Sequence, residues 1–168
     1  MSVRIHERQG EKVQNQILIL IGLTLLPFLE LRASIPYGIL NTDLNWMAVF
    51  ITCVITNIIL APIIYFLLDK VIHFFFFIKP FKKVYDYYII KTQKKIHKYV
   101  EKYGEIGVTL FIAVPLPGSG VYSGALAAYI LGLSYKDFLK AAATGVLIAG
   151  VIVTAISLTG NEAFKFLI

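Results

Sequence analysis

The chain has 168 residues, 58% hydrophobic and 15% charged, with a mean hydropathy of +0.75 and a formal net charge of +6. A soluble domain carries about 45–50% apolar and about 25% charged residues, so this composition excludes an ordinary water-soluble globule and points to a bilayer as main solvent. Nine of the sixteen Lys and Arg fall between Lys70 and Lys102, which makes the positive charge a basic segment between apolar stretches, and no nucleic-acid partner is expected.

The elements follow in chain order. Residues 1–16 mix acidic and basic side chains, and no small-x-small site follows the apolar run that starts at Ile17, so the N-terminus does not read as a cleavable signal. The first apolar segment, Ile17 to Leu40, is interrupted. It holds Pro27, Glu30, Arg32, Pro36 and Gly38. Proline removes a backbone donor and clashes with the preceding turn, so Pro27 and Pro36 are read as hairpin-break residues. The second segment, Trp46 to Leu68, is charge-free and long enough to cross a hydrocarbon core of about 30 Å, with Trp46 at an interface and Pro62 as a point of kinking. Its polar Thr56 and Asn57 are expected to face protein. Cys53, the single cysteine, sits in this run and reads as a small core residue without a disulfide or metal partner.

From Asp69 to Glu105 aromatics alternate with lysines. Tyr85, Tyr88, Ile89, Ile96, Tyr99 and Tyr103 recur at roughly helical spacing, which suits an amphipathic helix on an anionic membrane surface, or a solvated or partner-bound helix. The third segment, Ile106 to Leu133, is broken like the first, by Pro115, Pro117, Gly118, Gly120 and Gly124. The fourth, Phe138 to Leu158, reads as an intact span, and its Ala141, Ala142, Ala143, Gly145, Ala149 and Gly150 form a small-residue face that suggests a homo-oligomer.

The expected fold is therefore an all-α integral membrane protein in one membrane domain. Two inverted repeats, 17–68 and 106–160, each place a re-entrant or broken hairpin before a transmembrane helix, and a basic amphipathic connector, 69–105, joins them. In this plan the broken elements meet near the midplane. The positive-inside rule puts the connector in the cytoplasm of a multi-pass cell-membrane protein. Both termini and the turn from Asn41 to Asn45 then face outward, a placement that Arg4, Arg8 and Lys12 oppose. If the first segment spans fully instead, the N-terminus is cytoplasmic.

Two constellations can carry chemistry. Glu30 and Arg32 are ionisable groups at membrane depth, where charge costs several kcal/mol and is usually functional or paired. Glu30 is a candidate proton-coupling acid, since burial favours its neutral form and a nearby arginine its charged form. Arg32 would hold an anionic group such as phosphate with its donor fork. The competing reading is a structural ion pair locking the hairpin tip, or two residues at the mouth that snorkel to water. The second constellation is Pro115-Leu116-Pro117-Gly118-Ser119-Gly120 with Tyr122 and Ser123. Gly118 and Gly120 let amides approach a ligand, the following helix points its positive end at the break, and Ser119 and Tyr122 add hydroxyls, so these four are candidate substrate-binding residues. The competing reading is a tight turn. No zinc motif, Walker loop or nucleophile elbow is present, so no enzyme, cofactor or metal is expected.

The run Glu30-Leu31-Arg32 with Ser34-Ile35-Pro36-Tyr37-Gly38, together with Pro115-Leu116-Pro117-Gly118-Ser119-Gly120 and Ser123-Gly124-Ala125, resembles the prokaryotic small multidrug export protein family, a distant relative of the DedA/VTT membrane proteins. The resemblance covers roughly Ile17 to Leu158. It implies two inverted re-entrant hairpins, each followed by transmembrane helices. It further implies lipid or lipid-phosphate translocation, scrambling or proton-coupled transport, with membrane lipids and a small anionic or lipid-phosphate substrate as partners. The DedA pattern carries a basic residue in its second hairpin, whereas Ile106 to Leu133 has no Lys, Arg, Asp or Glu. The expected function is a small transporter or lipid-translocating protein, and the alternative is a non-transporting membrane scaffold.

Overall fold

The computed structural model describes residues 2–75, 103–116 and 118–167. All six elements in them are helices: α1 (Ser2–Leu25), α2 (Glu30–Asn41), α3 (Trp46–Phe75), α4 (Tyr103–Ala113), α5 (Val121–Leu131) and α6 (Tyr135–Leu167). The order repeats: helix, bend, a short helix of 12 or 11 residues, tight turn, a long helix of 30 or 33 residues. Two compact units result, one built from residues 1–57 and 147–168, the other from 58–146.

The long helices define the solvent. Trp46–Val71 and Tyr135–Gly160 are each 26 residues long, about 39 Å at 1.5 Å per residue, which exceeds a hydrocarbon core of about 30 Å. Only 39% and 50% of their apolar windows are buried. On α3, Ile51, Ile55, Ile59, Ile63, Leu67 and Val71 form an exposed stripe at four-residue spacing, while Val49, Cys53, Asn57, Leu60 and Ile64 are buried on the opposite side. A contiguous apolar stripe of this length is untenable in water and is what lipid requires. Pro62 lies inside α3 without ending it.

In the first unit α1 and α2 form an antiparallel hairpin. Thr24 meets Ser34, Leu20 lies against Gly38, and Lys12 pairs with Asp43. The opposed order of these contacts requires the chain to double back. The bend falls at Leu26–Leu29, with Pro27 in it. Phe28 (φ 71°) and Glu30 (φ 46°) reverse the chain in the left-handed region, which costs a non-glycine residue about 1–2 kcal/mol. The bend closes its own backbone: Leu26 N–H donates to Leu23 O, and Leu29 and Glu30 N–H donate to Leu26 O. Pro36, in contrast, does not break the segment as its sequence suggested. It lies within α2, whose Leu31, Ser34, Ile35 and Gly38 are buried. Packing on both sides holds that helix through the proline, and in apolar surroundings a helical backbone is the cheapest arrangement left. Gly38 is the closest approach, since a Cβ there would meet Val49 and Leu20. The Thr42 hydroxyl then caps Gly38 O, and Asn45 Oδ1 accepts from Met47 N–H to start α3.

The second unit is built by the same devices with different residues. Gly124 of α5 packs on Ile112 of α4, and Gly145 of α6 packs on Ile112 and the Thr109 carbonyl. Gly132 (φ 77°) ends α5, with its own N–H and that of Leu133 returning to carbonyls of the last turn. Ser134 and Asp137 exchange hydrogen bonds and start α6, three residues before the sequence reading placed it. Ala141, Ala142, Gly145, Ala149 and Gly150 are buried within the chain, Gly150 against Val54 and Phe50. Gly145 and Gly150 of this face thus serve packing within the chain. The connector 69–105 falls largely outside the described residues, including the run from Tyr85 to Tyr99. Its first residues, to Phe75, continue α3, and Tyr103 begins α4.

Candidate functional site

The site in the first unit grows from the bend. Glu30 is the first residue of α2 and only 2% exposed. Its left-handed backbone turns the carboxylate inward, and α3 lies across it. Arg32 Nη1 is 3.5 Å from Glu30 Oε2, and Asn57 Nδ2 donates to the same oxygen at 3.3 Å. Residues two apart on a regular helix do not face each other, so the pairing depends on the irregular backbone at Glu30. Asn57 is fully buried. Below this group the hydroxyls form a second layer: Thr24 Oγ1 is 2.7 Å from Ser34 Oγ, Ser34 donates to the Glu30 carbonyl at 3.1 Å, and the Cys53 thiol joins Thr24 and Ser34. Above it the bend is apolar, with Leu26, Phe28 and Leu29 exposed and Phe28 at 77%. The result is a shielded carboxylate–guanidinium–amide group beneath an apolar lip. Such a group can hold a proton or bind an anionic head beside an apolar tail.

In the second unit the Pro115–Gly120 bend is stitched by its own hydroxyls. Ser119 Oγ lies 2.5 Å from Val114 O and 2.9 Å from Leu116 O and accepts from Leu116 N–H. Ser119 is 5% exposed, so its hydroxyl is an internal splice of the turn. Ser123 Oγ accepts the Gly120 N–H at 3.0 Å and donates to Gly118 O at 2.6 Å. One of the amides expected to face a ligand is thereby engaged. Gly118 is exposed with φ 83°, which explains the glycine. Gly120 is buried and extended, and Tyr122 is half-buried. Pro115 stands in the bend, and Pro117 lies outside the described residues. Glu30 and Arg32 are thus brought together in one unit, and Gly118, Ser119, Gly120 and Tyr122 occupy one bend of the other.

Sequence reasoning did not assign Asn57, Thr24 or Ser34 to the site. A lone amide inside a charge-free span was the available signal for Asn57, since such a group needs a polar neighbour. It also missed a cluster in the second unit. Tyr65 stacks on Phe138 with ring centroids 5.1 Å apart and donates to Leu133 O, and Tyr129 hydrogen-bonds Asp69 at 3.5 Å. Among the described residues no group of three or more His, Cys, Asp or Glu could hold a metal.

Two helices long and apolar enough to cross a bilayer, an exposed apolar stripe on α3 and a buried charged pair in a helix bend mark a helical membrane protein. Residues 30–152 match the family described as "Putative small multi-drug export protein", and the chain belongs to that family. No match is found among curated proteins or among solved structures.

Proposed function

We propose that this chain is a small proton-coupled membrane transporter in which Glu30 is the coupling acid and Arg32 receives an anionic group of the substrate. One observation carries the reading: a carboxylate 2% exposed is held by an arginine and a buried asparagine in a strained bend. Buried ionisable groups are expensive and add little stability, so function is the reason to keep them. The family's name, an export protein, agrees with transport.

The apolar lip of Leu26, Phe28 and Leu29 favours an amphiphile as substrate, including a phosphate-bearing lipid. Liposomes carrying the purified chain and an imposed pH gradient test both sources of that chemistry. Soluble phosphate flux reads a free anion, and dithionite access to a headgroup-labelled phospholipid reads lipid translocation. Loss of proton-driven movement in Glu30→Gln and of substrate dependence in Arg32→Ala is expected. Parent-like behaviour of both variants in each arm sinks the reading and leaves a non-transporting scaffold.

In this reading both bends re-enter the bilayer and the repeats are inverted. The apolar part of α1, Ile17 to Leu25, is about 14 Å long and α2 about 18 Å, so each arm reaches roughly half of a core of about 30 Å. The hydrogen bonds that each bend makes within itself suit hydrocarbon. Lys70 and the basic stretch after it then face the cytoplasm. Cysteine labelling at Asn41→Cys, His6→Cys and Lys94→Cys tests this from either side, with buried Cys53 as a quiet background. Positions 6 and 41 on one face and 94 on the other are expected. Position 6 on the face of 94 overturns the hairpin.

A further inference from the structure

We infer that Asn57 is the positioning residue for Glu30 in both of its protonation states, giving the amide N–H to the ionised carboxylate and, with the amide turned over, the carbonyl oxygen to the protonated acid. The inference deepens the reading of Glu30 as coupling acid and rests on it.

The two ends of the Asn57 side chain are treated differently by the fold. Nδ2 donates to Glu30 Oε2 at 3.3 Å, a long bond. Oδ1 is buried without a hydrogen-bond partner, in a residue with no exposed surface. An ionised carboxylate has no hydrogen to offer it, so this oxygen stays unsatisfied as long as Glu30 is charged. One proton changes the pairing. The new Oε–H is a donor, and half a turn of the amide about its last torsion brings Oδ1 to the place Nδ2 held and Nδ2 to the place Oδ1 leaves. The two ends of the amide are nearly equal in size, so the turn needs no repacking. The proton stays on Glu30 throughout. It arrives from water and leaves to water, and Asn57 neither gains nor loses one.

Within the first unit, the titratable and charged groups of the described residues on each helix are these. On α2 the charged neighbour is Arg32, its Nη1 3.5 Å from Oε2. On α1, Ile17 to Leu25 carries no ionisable side chain, and Thr24 is committed to Leu20 O and Ser34. On α3 between Trp46 and Asn57 the titratable group is the Cys53 thiol, engaged with Ser34 and Thr24. On α6 within the same unit, Leu147 to Gly160 has no ionisable residue. Asn57 is the α3 side chain that the structure places on the Glu30 carboxylate.

Infrared difference spectra of the full chain in liposomes, between acidic and alkaline buffer, test the proposal. A carboxylic C=O band absent in Glu30→Gln is expected. With isotope-labelled asparagine in the unsubstituted protein, one side-chain amide band shifts together with it, and this shift disappears in Glu30→Gln. In Asn57→Leu the carboxylic band moves to higher frequency because its acceptor is gone. No carboxylic band lost in Glu30→Gln, or an asparagine band that does not move with it, overturns the inference. The labelled parent protein needs no Asn57→Leu, and Glu30→Gln combined with Arg32→Met, which removes the pair whole, serves as the reference where Glu30→Gln alone fails to fold. Proton-driven uptake separates the two readings. Loss of uptake in Glu30→Gln with an unmoving asparagine band removes Asn57 alone, whereas parent-like uptake in Glu30→Gln removes the coupling acid itself.

Discussion

Thr24 Oγ1 and Ser34 Oγ lie 2.7 Å apart, joining the two arms of the first hairpin just below its bend. Both residues are fully buried. This uncharged clasp sets the register that carries Glu30 to Asn57.

The two bends hold backbone strain differently, and substitutions should separate them. Phe28 is 77% exposed at φ 71°, so Phe28→Gly loses little packing and relieves about 1–2 kcal/mol. Gly118 has φ 83° with open space around it, so Gly118→Ala costs a similar amount through conformation alone. Thermal unfolding in detergent should show the first variant raised and the second lowered.

Gly38 and Gly22 form a matched pair for packing. A Cβ at Gly38 would lie 2.5 Å from Val49 Cγ1, and one at Gly22 would meet nothing within 4 Å. Gly38→Ala is expected to cost about 1–3 kcal/mol by overpacking, while Gly22→Ala gains about 0.4–1 kcal/mol through the unfolded chain. Equal melting temperatures for the two variants would contradict the hairpin packing.

Ile112 is shared by two glycines, with unequal consequences. At Gly124 the obstacle is the end of the Ile112 side chain, 2.6 Å away, whereas at Gly145 it includes the Thr109 carbonyl at 2.8 Å. Shortening Ile112 to alanine should therefore rescue Gly124→Ala and leave Gly145→Ala destabilised. Unfolding midpoints of the two double variants, each set against Ile112→Ala alone, measure the difference.

The buried pair should be worse half-removed than wholly removed. Glu30→Gln leaves the Arg32 guanidinium, 11% exposed, without its carboxylate, a loss of about 3–5 kcal/mol for a broken buried pair. Adding Arg32→Met should recover much of it. Denaturation of single and double variants reads this directly, and additive losses would mean that the pair is solvated.

Lys12 holds Asp43 below the ordinary carboxylate range, by hydrogen bond and by charge. A depressed acid stabilises the fold above its unfolded-state value, and that contribution is lost as pH falls through the folded value. Lys12→Ala should move the Asp43 titration upward in carboxyl-resolved NMR. Both groups are exposed, so stability at neutral pH should change little.

The sequence by itself determined the solvent, the two long helices, the two interrupted segments and the candidate pair Glu30–Arg32. Hydropathy, charge and proline placement are local properties, and bilayer thickness converts them into lengths. The same locality explains what it misplaced and what it left open. Pro27 and Pro36 are alike as residues, but only the first lies at a break, because α2 continues past Pro36 to pack Gly38 between Leu20 and Val49. The small residues of α6 suit any close helix contact, and only the fold shows Gly145 and Gly150 spending it inside the chain. Tertiary structure also chose the partner of Glu30. Asn57 is 27 positions away, and only the hairpin register set by Thr24, Ser34 and Gly38 decides which residue of α3 meets a given residue of α2.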